Sequence, residues 1–108
     1  MEEDRTSAEV SASLFGNMYM ARLVVRIGSG PTGEQFTVTD IHERSEIAYP
    51  LVLQVMRRLV LAGVVIRHPE TVRNGSQIVP YTYDEKHAAW GSLYKLCQAI
   101  AGSEVEKY

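Results

Sequence analysis

Pro50-Leu51-Val52-Leu53-Gln54-Val55-Met56-Arg57-Arg58-Leu59-Val60-Leu61-Ala62-Gly63-Val64-Val65-Ile66-Arg67 decides the fold. Val52, Val55, Met56 and Leu59 recur at three- and four-residue spacings, the pattern of one buried helical face. Pro50 opens this helix where its missing N–H costs nothing. Ala62-Gly63 closes it after Leu61, because glycine adopts the left-handed conformation that ends helices. Val64-Val65-Ile66 is β-branched and reads as a strand. The helix therefore turns through a single glycine straight into a strand. With its apolar face inward, Pro50, Gln54, Arg57 and Leu61 lie opposite, flanked by Leu51, Leu53 and Arg58.

Upstream, Thr37 or Thr39 is placed to cap a short helix running to about Arg44, with Asp40 suiting the dipole of its first turn. A short break at 45–48 separates it from the helix that Pro50 opens. Further back, Val10, Leu14, Met18, Ala21 and Val25 keep helical spacing from Ser7 to Ile27, and Phe15, Tyr19, Leu23 and Ile27 widen the stripe. A helix apolar over so much of its circumference is expected to be buried on two sides, the second a dimer interface. Gly28-Ser29-Gly30-Pro31-Thr32-Gly33 ends it.

Downstream, Asn74-Gly75 signals a two-residue hairpin between Thr71-Val72-Arg73 and a strand within 76–83. Pro80 must lie on an edge or at a bulge. Asp84 can cap a last helix over 85–101, with Ala89, Trp90, Leu93, Leu96, Cys97 and Ile100 on its apolar side and Gly102 as its end. The 108 residues suit one domain over 7–102, between a flexible acidic tail at 1–6 and a C-terminal tail at 103–108.

The formal net charge is −2, which by itself argues against nucleic acid. Its distribution reverses that inference. Between Tyr49 and Tyr83 stand four arginines, Arg57, Arg58, Arg67 and Arg73, against one acid, Glu70, while Glu2, Glu3, Asp4 and Glu9 crowd the N-terminus. A locally positive face predicts modest, salt-sensitive affinity for DNA. The single Cys97 excludes an internal disulfide and, with no apolar leader, fits a cytoplasmic protein. The longest apolar stretch, Met18–Ile27, is cut by Arg22 and Arg26 and cannot span a membrane.

Three helices followed by a hairpin is the order of a winged helix-turn-helix, an α+β, mostly α fold. Ile41-His42-Glu43-Arg44-Ser45-Glu46-Ile47 followed by Val52–Arg67 resembles the ArsR and MarR groups of bacterial winged-helix regulators, as does the passage from Tyr81 to Trp90 with Leu93 and Leu96. The resemblance covers roughly 36–100. It implies a DNA-binding homodimer that regulates transcription, as a repressor, with N- and C-terminal helices making the interface through Leu14, Met18, Tyr19, Trp90, Leu93 and Leu96. It also implies that the helix opened by Pro50 enters the major groove of double-stranded DNA. Gln54 would then read an adenine edge and Arg57 a guanine edge, each worth about 1–3 kcal/mol if bidentate. Tyr49 and Pro50 would lie at the groove, Thr39, Arg58 and Arg73 would hold phosphates, and Asn74 would sit at the wing tip. A dimer cleft leaves room for a small-molecule effector, with Tyr19, Trp90 and Tyr94 as walls. Three positions depart from the family pattern. Glu46 replaces the glycine of the turn, Ala48 the capping serine or threonine, and His42 a small packing residue.

Competing readings remain at several positions. Asn74 is required by its turn, Arg57-Arg58 can be a solvated pair, and exposed Leu51, Leu53 and Leu61 would instead suit a winged-helix module that meets protein. Asp84 and His87 faintly resemble one half of a metal site, but the thiolate cluster and the later histidine are missing, so no metal is expected. Cys97 on an apolar face reads as a small core residue. No catalytic grouping or cofactor fingerprint is visible, so neither enzyme activity nor a cofactor is expected.

Overall fold

The structure, a computed structural model, describes residues 5–30 and 34–105. It comprises α1 (Ser7–Phe15), α2 (Met20–Gly28), α3 (Val38–Ser45), α4 (Tyr49–Leu61), β1 (Val65–Arg67), β2 (Thr71–Arg73), β3 (Ser76–Ile78), β4 (Tyr81–Tyr83) and α5 (Ala88–Val105).

The single helix expected over 7–27 is two helices. Gly16 takes a left-handed conformation (φ 68°) that closes α1, and its N–H bonds the Ala12 carbonyl. The buried Ser11 hydroxyl holds the corner, donating to the Asn17 carbonyl (2.7 Å) and accepting from the Ala21 N–H (3.0 Å). Asn17 Oδ1 accepts the Tyr19 N–H (2.8 Å). These polar contacts satisfy the amides that a continuous helix would have paired, so breaking the helix costs little. The expected stripe breaks with it. Leu14 and Met18 are exposed, Val10 and Val25 half-buried, and the buried face of α2 is Met20, Ala21, Leu23, Val24 and Ile27. Thr6, assigned to the acidic tail, caps α1 in a capping box with Glu9, while residues 1–4 lie outside the described residues.

Thr37, not Thr39, caps α3. Its hydroxyl accepts the Asp40 N–H and its own N–H donates to the Asp40 carboxylate, both at 3.0 Å. Between α3 and α4, His42 Nδ1 lies 2.6 Å from the Ile47 carbonyl, so that nitrogen carries the proton and donates it. The ring also packs edge-on against Tyr49, with centroids 6.0 Å apart. His42 thus ties the turn where a small residue was expected. Glu46 sits in the left-handed region at φ 61°, the conformation for which glycine is suited. Glu46→Gly is therefore expected to stabilise the chain by about 0.5–1 kcal/mol, the reverse of placing a side chain where φ is positive. A higher midpoint in thermal unfolding checks this; a lower one would show that the Glu46 side chain outweighs the strain.

Helix α4 starts at Tyr49, one residue earlier than expected, and buries Val52, Val55, Met56 and Leu59. It ends as the Ala62-Gly63 pair anticipates. Gly63 (φ 83°) donates to the Val60 carbonyl (3.0 Å) and Val64 to that of Leu59 (3.2 Å), with Leu59 and Val64 both buried. This double bond set with its apolar contact is a Schellman motif, and it aims the chain into β1.

The wing is one long antiparallel hairpin broken in the middle. Strand β1, one residue later than the 64–66 expected, pairs with β4 with Val65 opposite Tyr83. β2 pairs with β3 with Arg73 opposite Ser76. Between these ladders the three residues 68–70 face the two residues 79–80, so the first arm carries a bulge. Pro69 and Pro80 fall there, where a missing N–H breaks no ladder bond. Asn74 (φ 53°) and Gly75 (φ 81°) close the hairpin as anticipated. Phe36 adds a short third edge, exchanging both backbone bonds with Tyr81 at 2.9 and 2.7 Å.

Helix α5 starts later than expected. Asp84 organises a turn by accepting the Lys86 N–H, and His87 Nδ1 accepts the Ala89 N–H at the helix start (3.0 Å). Gly102 does not stop the helix, which runs on to Val105, into the segment read as a tail; 106–108 lie outside the described residues. α5 lies across α2 and α1. Its Trp90 stacks between Tyr83 (4.7 Å) and Tyr94 (6.0 Å), and this stack rests on Gly28, where a Cβ would collide with the Tyr94 ring.

Candidate nucleic-acid interface

At about 100° per residue, α4 presents four strips. The core strip is buried. Leu51 and Arg58 face the α1–α2 side, Tyr49, Leu53 and Val60 face the wing, and Pro50, Gln54, Arg57 and Leu61 point outward. Pro50, Gln54 and Arg57 are exposed, whereas Leu51 and Leu53 are half-buried against the core. Two of the three leucines that suited a protein-binding helix are therefore packed. Leu61 remains 88% exposed.

The wing stands beside this helix and leaves a depression of about 540 Å3, lined among others by Thr37, Thr39, Tyr49, Leu53, Arg67 and Arg73. The structure thus brings Thr39, Tyr49 and Arg73 to one concave surface next to the outward strip of α4. Asn74 lies at the exposed hairpin tip. Arg67, counted in the charge balance but not chosen as a site residue, also lines a neighbouring depression of about 450 Å3 with Arg57. The strand register decides this, because it turns Arg67 toward α4.

Two of the expected phosphate ligands are occupied within the chain. Arg58 Nη1 donates to the Phe15 carbonyl at 2.7 Å, capping the negative end of α1. Arg73 spans the Asp40 carboxylate, with Nη2 3.2 Å from Oδ1 and Nη1 3.5 Å from Oδ2. Partial burial of Asp40 works against its charge, but hydrogen bonds from Arg73 and the Thr37 N–H outweigh it and hold the carboxyl below its ordinary value. Because the folded value is depressed, Asp40 contributes stability that is complete above the ordinary aspartate range and is lost as pH falls through the folded value. This carboxylate both caps α3 and tethers the wing. Asp40→Asn keeps an oxygen for the Thr37 N–H but frees Arg73. On the expectation that this surface meets DNA, the variant should bind a duplex more tightly and with a dependence on the logarithm of salt concentration steeper by about 0.9, one phosphate contact. Titrating a fluorescent duplex at several salt concentrations checks this, and an unchanged slope would leave Arg73 out of the interface.

The residues expected at a dimer interface divide. Leu14 (58%), Met18 and Leu96 are exposed, and Tyr19 and Leu93 are half-buried. Trp90 is only 4% exposed within the single chain, drawn inward by the stack over Gly28. Within the single chain, the residues named as effector walls lie apart. Trp90 and Tyr94 fill that stack, whereas Tyr19 lines a depression on the far side of the turn. Cys97 is fully buried and burial pushes its thiol up to about 11, so it stays protonated at neutral pH. Asp84 and His87 serve the turn before α5, and no group of three metal-ligating side chains gathers among the described residues. Among them, too, no helix is long and apolar enough to cross a membrane.

No family model matches the chain, and no curated protein matches it by sequence. Among solved structures, the oxidised form of MarR from E. coli superposes with a TM-score of 0.61 at 16% identity, over 96% of this chain and 69% of that one. At that identity the likeness establishes architecture: the chain has a mostly helical, MarR-like winged-helix fold.

Proposed function

We propose that the chain binds double-stranded DNA as a homodimer and regulates transcription, acting as a repressor by occupying promoter DNA. One observation carries this reading. The outward strip of α4, with Pro50, Gln54 and Arg57, is exposed, unpaired among the described residues and bordered by Arg67 and the wing, while its flanking leucines pack inward. A single helix fits the major groove, and a wing beside it falls over the adjacent backbone. The exposed apolar side chains of Leu14, Met18 and Leu96, on the paired α1 and α5 and the corner after α1, supply the surface for a second copy.

Selection from a random duplex pool at two salt concentrations tests the proposal. Enrichment of a two-fold symmetric sequence, with weaker binding at higher salt, is the expected result. A folded chain that enriches nothing at low salt would overturn it. That result would favour a protein partner at α4, where Leu53, Val60 and the exposed Leu61 line the depression beside β1.

A further inference from the structure

On the side of the helix-turn-helix away from the wing, Arg22 and Arg26 of α2 and Arg44 of α3 line one depression of about 580 Å3 with Tyr19, Glu46 and Leu51. All three arginines are exposed. The ion pair found among the described residues is Arg73–Asp40, so no described carboxylate forms a close ion pair with any of the three, and the one acid on the depression, Glu46, leaves it with an excess of two positive charges. The arrangement works against the fold in two ways. Arg22 and Arg26 are four residues apart on one helix and repel each other. Arg22 also lies in the first turn of α2, at the positive end of its dipole, where no acid accompanies it. Arg26 and Arg44 stand in last turns, where a cation suits the dipole, so helix electrostatics accounts for them singly but not for Arg22 or for their convergence.

Position identifies what the cluster meets. Leu51 forms part of its wall and Leu53 part of the wing-side depression. Two residues apart on α4, they lie on opposite flanks of the strip that carries Pro50, Gln54 and Arg57. A helix in the major groove has a phosphate backbone on each side of it. We infer that Arg22, Arg26 and Arg44 form a second phosphate-binding flank, which holds the DNA backbone on the side of the groove opposite the wing. The inference rests on the proposed DNA binding and adds three contacts, one on α3 and two on α2, an element outside the helix-turn-helix and wing.

The test measures affinity for a non-specific 30-base-pair duplex across a salt series. It compares the wild type with Arg22→Gln/Arg26→Gln/Arg44→Gln, with the corresponding triple lysine variant, and with Arg57→Ala/Arg67→Ala. Thermal unfolding confirms that each variant is folded, as expected for exposed side chains. With about 0.9 of slope per phosphate contact, the glutamine variant should lose about 2–3 from the salt slope, and the lysine variant should keep it. An unchanged slope in the glutamine variant, with a reduced one in Arg57→Ala/Arg67→Ala, would overturn the second flank and leave DNA binding standing. Equal loss in the lysine variant would show that charge is not what the site supplies and would also overturn it. Absence of wild-type binding at low salt would overturn both proposals together.

Discussion

Trp90→Ala is expected to lower the stability of the chain by about 3–5 kcal/mol, the range for removing a buried tryptophan. Against the 5–15 kcal/mol typical of a whole domain, this is a large share of the total. Trp90 is buried on α5, stacked on Tyr83 of the wing strand and on Tyr94 one turn further along, over Gly28 at the end of α2. One ring therefore joins the consecutive β4 and α5 to the distant α2, and its loss leaves a cavity and two tyrosine rings without their stacking partner. Urea unfolding followed by circular dichroism measures the loss, since the only tryptophan of the chain is the one removed. A cost under about 1 kcal/mol would mean that the stack does not hold α5 in place, a scale set by conservative core swaps. Gly28→Ala approaches the same joint from the other side. Its added Cβ would lie 3.2 Å from Trp90 Cζ2 and collide with Tyr94, so overpacking of about 1–3 kcal/mol is expected.

The second large effect is on DNA. Arg57→Ala/Arg67→Ala should remove about 0.9 from the salt slope, for the phosphate contact of Arg67. Loss of a bidentate guanine contact by Arg57 should also cut affinity for a selected sequence by roughly 5- to 150-fold, equivalent to about 1–3 kcal/mol. Stability should change by less than about 0.5 kcal/mol, because both side chains are exposed and neither is paired among the described residues. Arg58→Ala is the informative contrast. Its guanidinium is committed to the Phe15 carbonyl at 2.7 Å, so it should cost about 1 kcal/mol of stability and little affinity. Fluorescence anisotropy with matched unfolding curves separates the two. Equal affinity losses from Arg57 and Arg58 would show that the α1-facing side of α4 also touches DNA.

Arg57 and Arg58 show why the interface was only partly legible in the sequence. The apolar spacing of Val52, Val55, Met56 and Leu59 orients the helix and so identifies Pro50, Gln54 and Arg57 as outward. Nothing local reveals that Arg58 meets a carbonyl 43 residues earlier, or that Arg73 reaches Asp40 33 residues earlier. Arg22 and Arg26 were visible as interruptions of an apolar stretch, but their convergence with Arg44 depends on how α2 crosses α3. Trp90 was assigned to an apolar face, and whether that face meets its own chain or a second copy is a matter of packing.

Short-range chemistry was therefore settled by the sequence itself. The Schellman end at Gly63, the Asn74-Gly75 hairpin, a proline at the bulge and the buried face of α4 each follow from backbone geometry or periodicity within a few residues. The tertiary structure decided where competing local solutions are close in energy. Residues 7–27 have helical spacing throughout, yet Gly16 and Asn17 offer a break that costs little, and the buried Ser11 hydroxyl satisfies it only once the two helices meet at the corner. Which arginines remain available to a ligand was settled in the same way, because a guanidinium on a long flexible stem takes whichever partner the folded chain places within reach.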